Sequence, residues 1–362
     1  MRRWAPEHVW IEQGEEDSPI ARRVRESLAG VPMTVTGDLR QAEPGKDRFA
    51  TGKRRLVLQR HHGSFLQHCP AGTPGLVCCN YLVVDLVSNC PYDCSYCFLQ
   101  DYLANNPAMK AFTNPGDALA EIDAVLRAHP ERDFRIGTGE LADSLALDPL
   151  TGLTGELVPF FARHRNATLE LKTKSDCVDN LLHLDPKGRV VVSWSVNATA
   201  ICAEDEAGTA SLSERLAAAR QVQAAGYRLG FHFDPLIEHP GWEEGYRDTV
   251  AMIAAAVDAR RITWISLGSL RLTPTLRTAM RARPTPTQVL SAELVPSPDG
   301  KARVWRGLRM KMYRTIQGYL REAFPNAPTY LCMEPAAVWQ NVRGEAPSDR
   351  EVAARLAAGV AR

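Results

Sequence analysis

From about residue 80 onward, short apolar runs alternate with longer stretches whose apolar residues recur every three or four positions. The runs NYLVVDLV, FRIGTG, TLELKTK, RVVVSWSVN, YRLGFHFDPLI, ITWISLG and TYLCME have strand length and few polar interruptions, as strands covered on both faces do. Between them lie the helical periods NPGDALAEIDAVLRAH, GELVPFFARH, SLSERLAAARQVQAAG, EGYRDTVAMIAAAVDA and GLRMKMYRTIQGYLREAF, with a short helix near Cys177–His183. Asn114 and Pro115 read as N-cap and first helical residue, Ser211 with Glu214 as a capping box, and Gly226 as a helix stop. Such alternation implies parallel strands joined by right-handed crossovers. About six units predict an α/β fold, an incomplete (β/α)6 TIM-like barrel short of the full eight.

The first eighty residues predict a small α/β unit. HVWIE reads as a strand, SPIARRVRESLAG as a helix ended by Gly30, VPMTVTG as a second strand and RRLVLQR as a third. The division expected is a small N-terminal unit (1–79), a partial barrel (80–340) and a C-terminal tail (341–362). No internal repeat or low-complexity segment is evident.

Composition narrows the function classes. The 362 residues carry 43 basic and 42 acidic side chains, so no global field favours nucleic acid or a membrane surface. No apolar stretch approaches the ~18 residues of a membrane span. The start, MRRWAPEHVW, has no apolar segment behind its arginines, which points to the cytoplasm.

Nine cysteines in a long chain of that compartment argue for metal or redox chemistry over a disulfide framework. Cys69, Cys78, Cys79, Cys177, Cys202 and Cys332 are scattered, whereas Cys90, Cys94 and Cys97 crowd into CPYDCSYC. Their C-x3-C-x2-C spacing falls on the loop leaving the first barrel strand. Thiolates are soft ligands for iron–sulfur clusters or zinc. Three hold three irons of a [4Fe–4S] cube and leave the fourth open, whereas zinc needs a further ligand such as Cys79 or His68. The position at a barrel strand's C-terminal end, where barrel chemistry sits, favours the cluster.

This loop, with an aromatic residue behind it, resembles the radical SAM superfamily. The resemblance implies that the open iron binds the amino and carboxylate groups of S-adenosylmethionine (SAM). One electron, from a donor such as flavodoxin or ferredoxin, then releases a 5′-deoxyadenosyl radical. The wider pattern is similar to the spore photoproduct lyase family, DNA-repair enzymes that revert a thymine dimer. The likeness runs through HVWIE, CSYCFLQ, LADSLALDPLT, KTKSDCVDNLL, WSVNA, GYRLGF and HPGWEEGY. It implies SAM contacts from Tyr96, Phe98, Ala142, Lys174, Ser195 and Asp234, with Asn197 beside them in WSVNA. A lysine at a strand end pairs with a carboxylate as a point charge, and a serine hydroxyl bonds a ribose oxygen.

Two departures stand out. Where the family has the cysteine that returns a hydrogen atom to the substrate radical, this sequence has Glu140. A carboxylic O–H bond is far too strong for that role. The family's tyrosine after the third cluster cysteine is Phe98, which has no hydroxyl, and its SAM-binding serine is Ala142. Gly137-Thr138-Gly139-Glu140 instead resembles the Gly-Gly-Glu motif of other radical SAM enzymes, which implies that Gly139 and Glu140 satisfy the SAM ammonium. A replacement hydrogen donor would be Cys332, at the end of the last predicted strand, with Cys177 and Cys202 as weaker candidates.

The C-terminal region is locally basic. Between Arg271 and Arg321, eleven Lys or Arg face only Glu293 and Asp299, a net charge of +9 over 51 residues suited to phosphates. Within it, AELVPSPDGKARVW predicts a β-hairpin around Asp299-Gly300. Arg303 and Arg306 would supply cations and Trp305 a stacking wedge against damaged or distorted DNA. The runs KRR (53–55) and RHH (60–62) would add to that field. Three function classes result: a lyase-like enzyme acting on DNA, a radical SAM enzyme with a non-DNA substrate, and a non-catalytic metal-binding protein that contacts nucleic acid.

Overall fold

The computed structural model describes residues 4–42, 51–69, 74–283, 287–297 and 299–361. Among these, seven parallel strands form a curled sheet: Leu82–Val84, Phe134–Gly137, Ala167–Thr173, Val190–Ser195, Arg228–Leu236, Ile262–Ser269 and Thr329–Leu331. They lie side by side in sequence order, as short right-handed crossovers require. Leu66–His68 pairs antiparallel with the first and closes that edge. The barrel is therefore open, an α/β half-barrel as the alternation of runs predicts.

The register of the second and third strands sets Gly137 beside Glu170. A glycine is required at 137: a Cβ there would come within 1.7 Å of the Tyr81 hydroxyl oxygen. The crossover helix Leu212–Ala224 starts at the expected capping box, with both Ser211–Glu214 bonds made. Asn114 departs from expectation. It precedes helix Pro115–Ala128 but makes no capping bond; its side-chain amide instead bridges the backbone N–H and C=O of His61 at 2.9 and 3.1 Å. It thus ties the helix start to the N-terminal unit.

That unit is a five-stranded sheet in the order Met33–Thr36, His8–Glu12, Arg55–Gln59, Met109–Phe112 and Val87–Ser88. Its last two strands come from chain on either side of the cysteine loop, so both ends of that loop are anchored in the small sheet. Val9 and Leu58 belong to the same buried cluster as Leu169 and Phe231 of the barrel. The C-terminal segment, expected as a tail, is helical over Asp349–Ala361 and buries Val352 and Leu356. It lies close enough to the sixth strand that a Cβ on Gly359 would sit 2.6 Å from the Thr263 carbonyl oxygen. No helix among the described residues is long and apolar enough to cross a membrane.

Candidate active site

The C-terminal ends of the strands surround a cavity of about 470 Å³. Cys90, Cys94 and Cys97 line it together with Tyr96, Phe98, Gly139, Glu140, Ala142, Lys174, Ser195, Asp234 and Cys332. Residues from six separate stretches of sequence therefore meet at one place.

The cysteine loop is held from outside. Gln100 donates from its side-chain nitrogen to the carbonyls of Cys94 and Ser95 at 3.1 and 2.9 Å. Asp93 is clamped by Arg283 at 2.7 Å, and Lys53 donates to the Tyr92 carbonyl. Lys53 is buried beneath the loop, so this member of the KRR run serves the cysteines, while Arg54 stays at the surface, paired with Glu7 at 3.1 Å. Burial pushes the Cys94 thiol up to about 12 and raises the Cys90 thiol as well, so loading a metal must release protons. None of the nine cysteines is joined in a disulfide. Among the described residues, no three His, Cys, Asp or Glu side chains converge on one ion. Three unpaired thiols on one cavity wall are the donor set of a cluster with an open iron.

Beside Cys94 lies a buried charge cluster that sequence reasoning missed. Glu206 pairs its backbone with Cys94 and accepts from Arg215 at 2.6 Å; both side chains are completely buried. Lys174 lies 3.2 Å from the other Glu206 oxygen and donates to the Tyr96 hydroxyl at 2.8 Å; that hydroxyl in turn donates to Glu206. Burial works against the Glu206 charge, but Lys174 and Arg215 outweigh it and hold the carboxyl at about 2. Two cations against one anion leave a net positive charge at this wall, which fits an incoming carboxylate. Nothing in the local sequence around Glu206 signals this, because its partners lie 32 positions before it and nine after.

Gly139 packs against the third strand, where a Cβ would stand 3.0 Å from the Lys172 carbonyl oxygen. Glu140 projects beside Lys172 at 4.0 Å. Ser195 lines the cavity, and its carbonyl accepts from Arg215 at 2.9 Å. Asp234 holds Arg271 at 3.0 Å, and the Cys332 thiol beside them is raised first by burial and then by Asp234. Phe98 is 41% exposed and forms the rim with Tyr102, 63% exposed, their ring centroids 6.3 Å apart. Asn197 is not part of the lining: it is buried behind the wall, donating to the Pro235 carbonyl at 3.1 Å and accepting from Tyr246 at 2.5 Å. Cys177 and Cys202 are likewise absent from the lining. The residues present thus fit a cluster and SAM: three thiols, a cationic wall suited to a carboxylate, an acidic side chain suited to an ammonium and a serine on the lining.

The floor of the cavity is polar as well. Glu170 accepts from Ser193, His232 and Trp264 at 2.6, 2.7 and 2.9 Å on one oxygen and from Arg135 at 2.6 Å on the other. The sequence carried this signal. In LELKTK, Glu170, Lys172 and Lys174 fall on alternate positions, one face of a strand, and all three line the cavity.

The expected hairpin is present, Leu294–Pro296 against Ala302–Val304, and Arg271–Leu272 extends it to three strands. Its charges differ from expectation. Arg303 is only 3% exposed, bonded to Asp299 at 2.5 Å and to the Met333 carbonyl at 2.9 Å, and so is a structural residue. Arg271, Arg283, Arg309 and Lys311 are paired with Asp234, Asp93, Glu334 and Glu243. Summing charge along the segment overstated its field, because these four acids lie outside it. Trp305, 51% exposed, and Arg306 remain at the surface.

An open parallel barrel with a three-cysteine loop at its mouth, and charged groups for an amino acid moiety beside it, has the make-up of a radical SAM enzyme. The family profile of spore photoproduct lyase matches residues 4–287, and the chain belongs to that family, whose members use SAM and a [4Fe–4S] cluster. It is 30% identical over 266 residues to spore photoproduct lyase of Geobacillus sp. (strain Y412MC61), covering 71% of this chain and 76% of that one. With spore photoproduct lyase of Bacillus subtilis (strain 168) the identity is 25% over 340 residues, covering 90% and 97%. A solved structure of a spore photoproduct lyase double mutant, with bound AdoMet and dinucleoside spore photoproduct, superposes with a TM-score of 0.81 at 24% identity. That superposition covers 91% of this chain and 100% of the other and establishes the shared fold.

Proposed function

We propose that this chain is a radical SAM lyase acting on a nucleobase lesion in DNA. The observation that carries the reading is the convergence of Cys90, Cys94, Cys97, Lys174 and Ser195 on one cavity. In this reading the three thiolates hold the cluster, Lys174 receives the SAM carboxylate, Glu140 with the Gly139 backbone receives its ammonium, and Ser195 bonds the ribose. When bound, these groups supply a 5′-deoxyadenosyl radical that removes a hydrogen atom from the substrate.

The chain's own contribution is placement and shielding. The Tyr96–Glu206–Arg215 network fixes Lys174 in position, and the strand ends wall the reacting groups from bulk water. Phe98 and Tyr102 form an apolar rim where a base leaving the duplex would stack. Trp305 and Arg306 present a wedge and a cation on the hairpin side. Cys332 is the candidate hydrogen donor on the cavity wall. A cytoplasmic setting and a small electron-transfer partner, flavodoxin or ferredoxin, complete the proposal.

A second reading, a non-DNA substrate on the same scaffold, is favoured by one observation: Glu140 and Phe98 stand where the family's hydrogen-return groups are expected. The experiment that separates the two is anaerobic incubation of reduced enzyme with SAM and UV-irradiated DNA, followed by mass spectrometry of nucleosides and 5′-deoxyadenosine. Lesion-dependent change in the nucleosides supports the first reading. SAM cleavage with unaltered DNA supports the second.

A further inference from the structure

Five Lys or Arg side chains line the cavity: Arg135, Lys172, Lys174 and Arg271 at the ends of the barrel strands, and Lys301 from the hairpin turn. Three are bonded tightly to carboxylates: Arg135 to Glu170 at 2.6 Å, Lys174 to Glu206 at 3.2 Å and Arg271 to Asp234 at 3.0 Å. Lys172 is different. Its nearest carboxylate oxygen, on Glu140, stands 4.0 Å away, beyond hydrogen-bond distance. Glu170 and Asp234 also face it, yet their oxygens already accept from Arg135, His232, Ser193, Trp264 and Arg271. The side chain is 28% exposed, and it borders the cavity. A largely buried ammonium with three donors and no acceptor within hydrogen-bond distance among the described residues calls for one.

Its place in the fold says where that acceptor comes from. Alternation along the third strand sets Lys172 between Lys174, at the SAM end, and Glu170, at the floor. We propose that Lys172 is a substrate-binding residue, donating to a carbonyl oxygen of the pyrimidine ring that the radical attacks. This rests on the reading above and names the group that holds the base. Glu140 has a second claimant in the SAM ammonium, so occupancy of the SAM site frees Lys172 for the base, and the two ligands bind with positive coupling.

The test uses cluster-loaded protein without SAM and measures binding of the dinucleoside spore photoproduct by calorimetry. Lys172→Met is expected to weaken binding ten-fold or more, as loss of a charge-assisted bond does. Lys172→Arg is expected to restore most of it. Glu140→Gln, which releases Lys172, is expected to bind the dinucleoside at least as well as wild type. Equal affinity of wild type and Lys172→Met overturns the inference and leaves the lyase reading standing. A loss in Glu140→Gln equal to that in Lys172→Met also overturns it, because the pair would then be structural. Failure of the wild type itself to bind overturns both.

Discussion

Lys174 and Glu206 lie 3.2 Å apart behind the cluster cysteines, and Glu206 carries the second cation, Arg215, on its other oxygen. Removing one member of a buried ion network leaves an uncompensated charge, at a cost of about 3–5 kcal/mol. Glu206→Gln strands two cations. It is expected to lower stability by that order in urea unfolding and to weaken SAM binding through a misplaced Lys174.

The same carboxyl gives a pH dependence. Its value in the fold, about 2, lies below the usual 4.5. A depressed carboxyl contributes stability that is fully present above the unfolded value and lost as pH falls toward the folded one. Wild-type stability should therefore fall from about pH 4.5 downward, and Glu206→Gln should fall less steeply in that window. Parallel acid-unfolding curves for the two proteins would contradict this assignment.

The cluster assignment predicts about four iron atoms per chain after anaerobic reconstitution. Replacing Cys90, Cys94 or Cys97 by Ala should abolish 5′-deoxyadenosine formation under dithionite. Undiminished product from the triple variant would remove the assignment.

On the hairpin side, DNA affinity should fall steeply with salt, since each neutralised phosphate releases counterions. Trp305→Ala with Arg306→Ala should weaken binding to distorted duplex more than to intact duplex. Arg303→Ala should act otherwise, lowering the melting temperature because it takes the guanidinium from the Asp299 carboxylate and from the Met333 carbonyl. Salt-insensitive binding, equal in wild type and double variant, would remove the hairpin from the argument.

Much of this was legible in the residues. The seven strands were visible because each is an apolar run of strand length, and the cysteine spacing marked the mouth of the barrel. Arg303 could not be read correctly, because whether a cation is free depends on Asp299 across a turn and on Met333 far along the chain. Glu206 was hidden for the same reason. Lys172 was within reach: the alternation Glu170, Lys172, Lys174 places charges on a barrel strand's inner face, where apolar residues are the norm. Strand Met109–Phe112 was missed because MKAF is too short to stand out beside the cysteine loop.

The remaining prediction concerns hydrogen return. Glu140 occupies the position at which the family resemblance implies a thiol, and Phe98 the position of a tyrosine. A carboxylic acid does not release a hydrogen atom to a carbon radical, and phenylalanine has no hydroxyl to relay one. The wild-type protein is therefore expected to cleave SAM while converting spore photoproduct to two thymines poorly, or with side products from radicals quenched by another route. Glu140→Cys, alone or with Phe98→Tyr, is expected to raise the clean thymine yield. The substitution also takes the carboxylate away from Lys172 and from the SAM ammonium, so SAM affinity and 5′-deoxyadenosine yield must be measured in the same variant. A fall in both with no thymine gain assigns Glu140 to SAM binding. A gain in thymine per deoxyadenosine assigns the defect to the missing thiol. Clean, efficient repair by the wild type would show that another group donates, and Cys332→Ala would then be expected to abolish it, since Cys332 lines the same cavity beside Asp234.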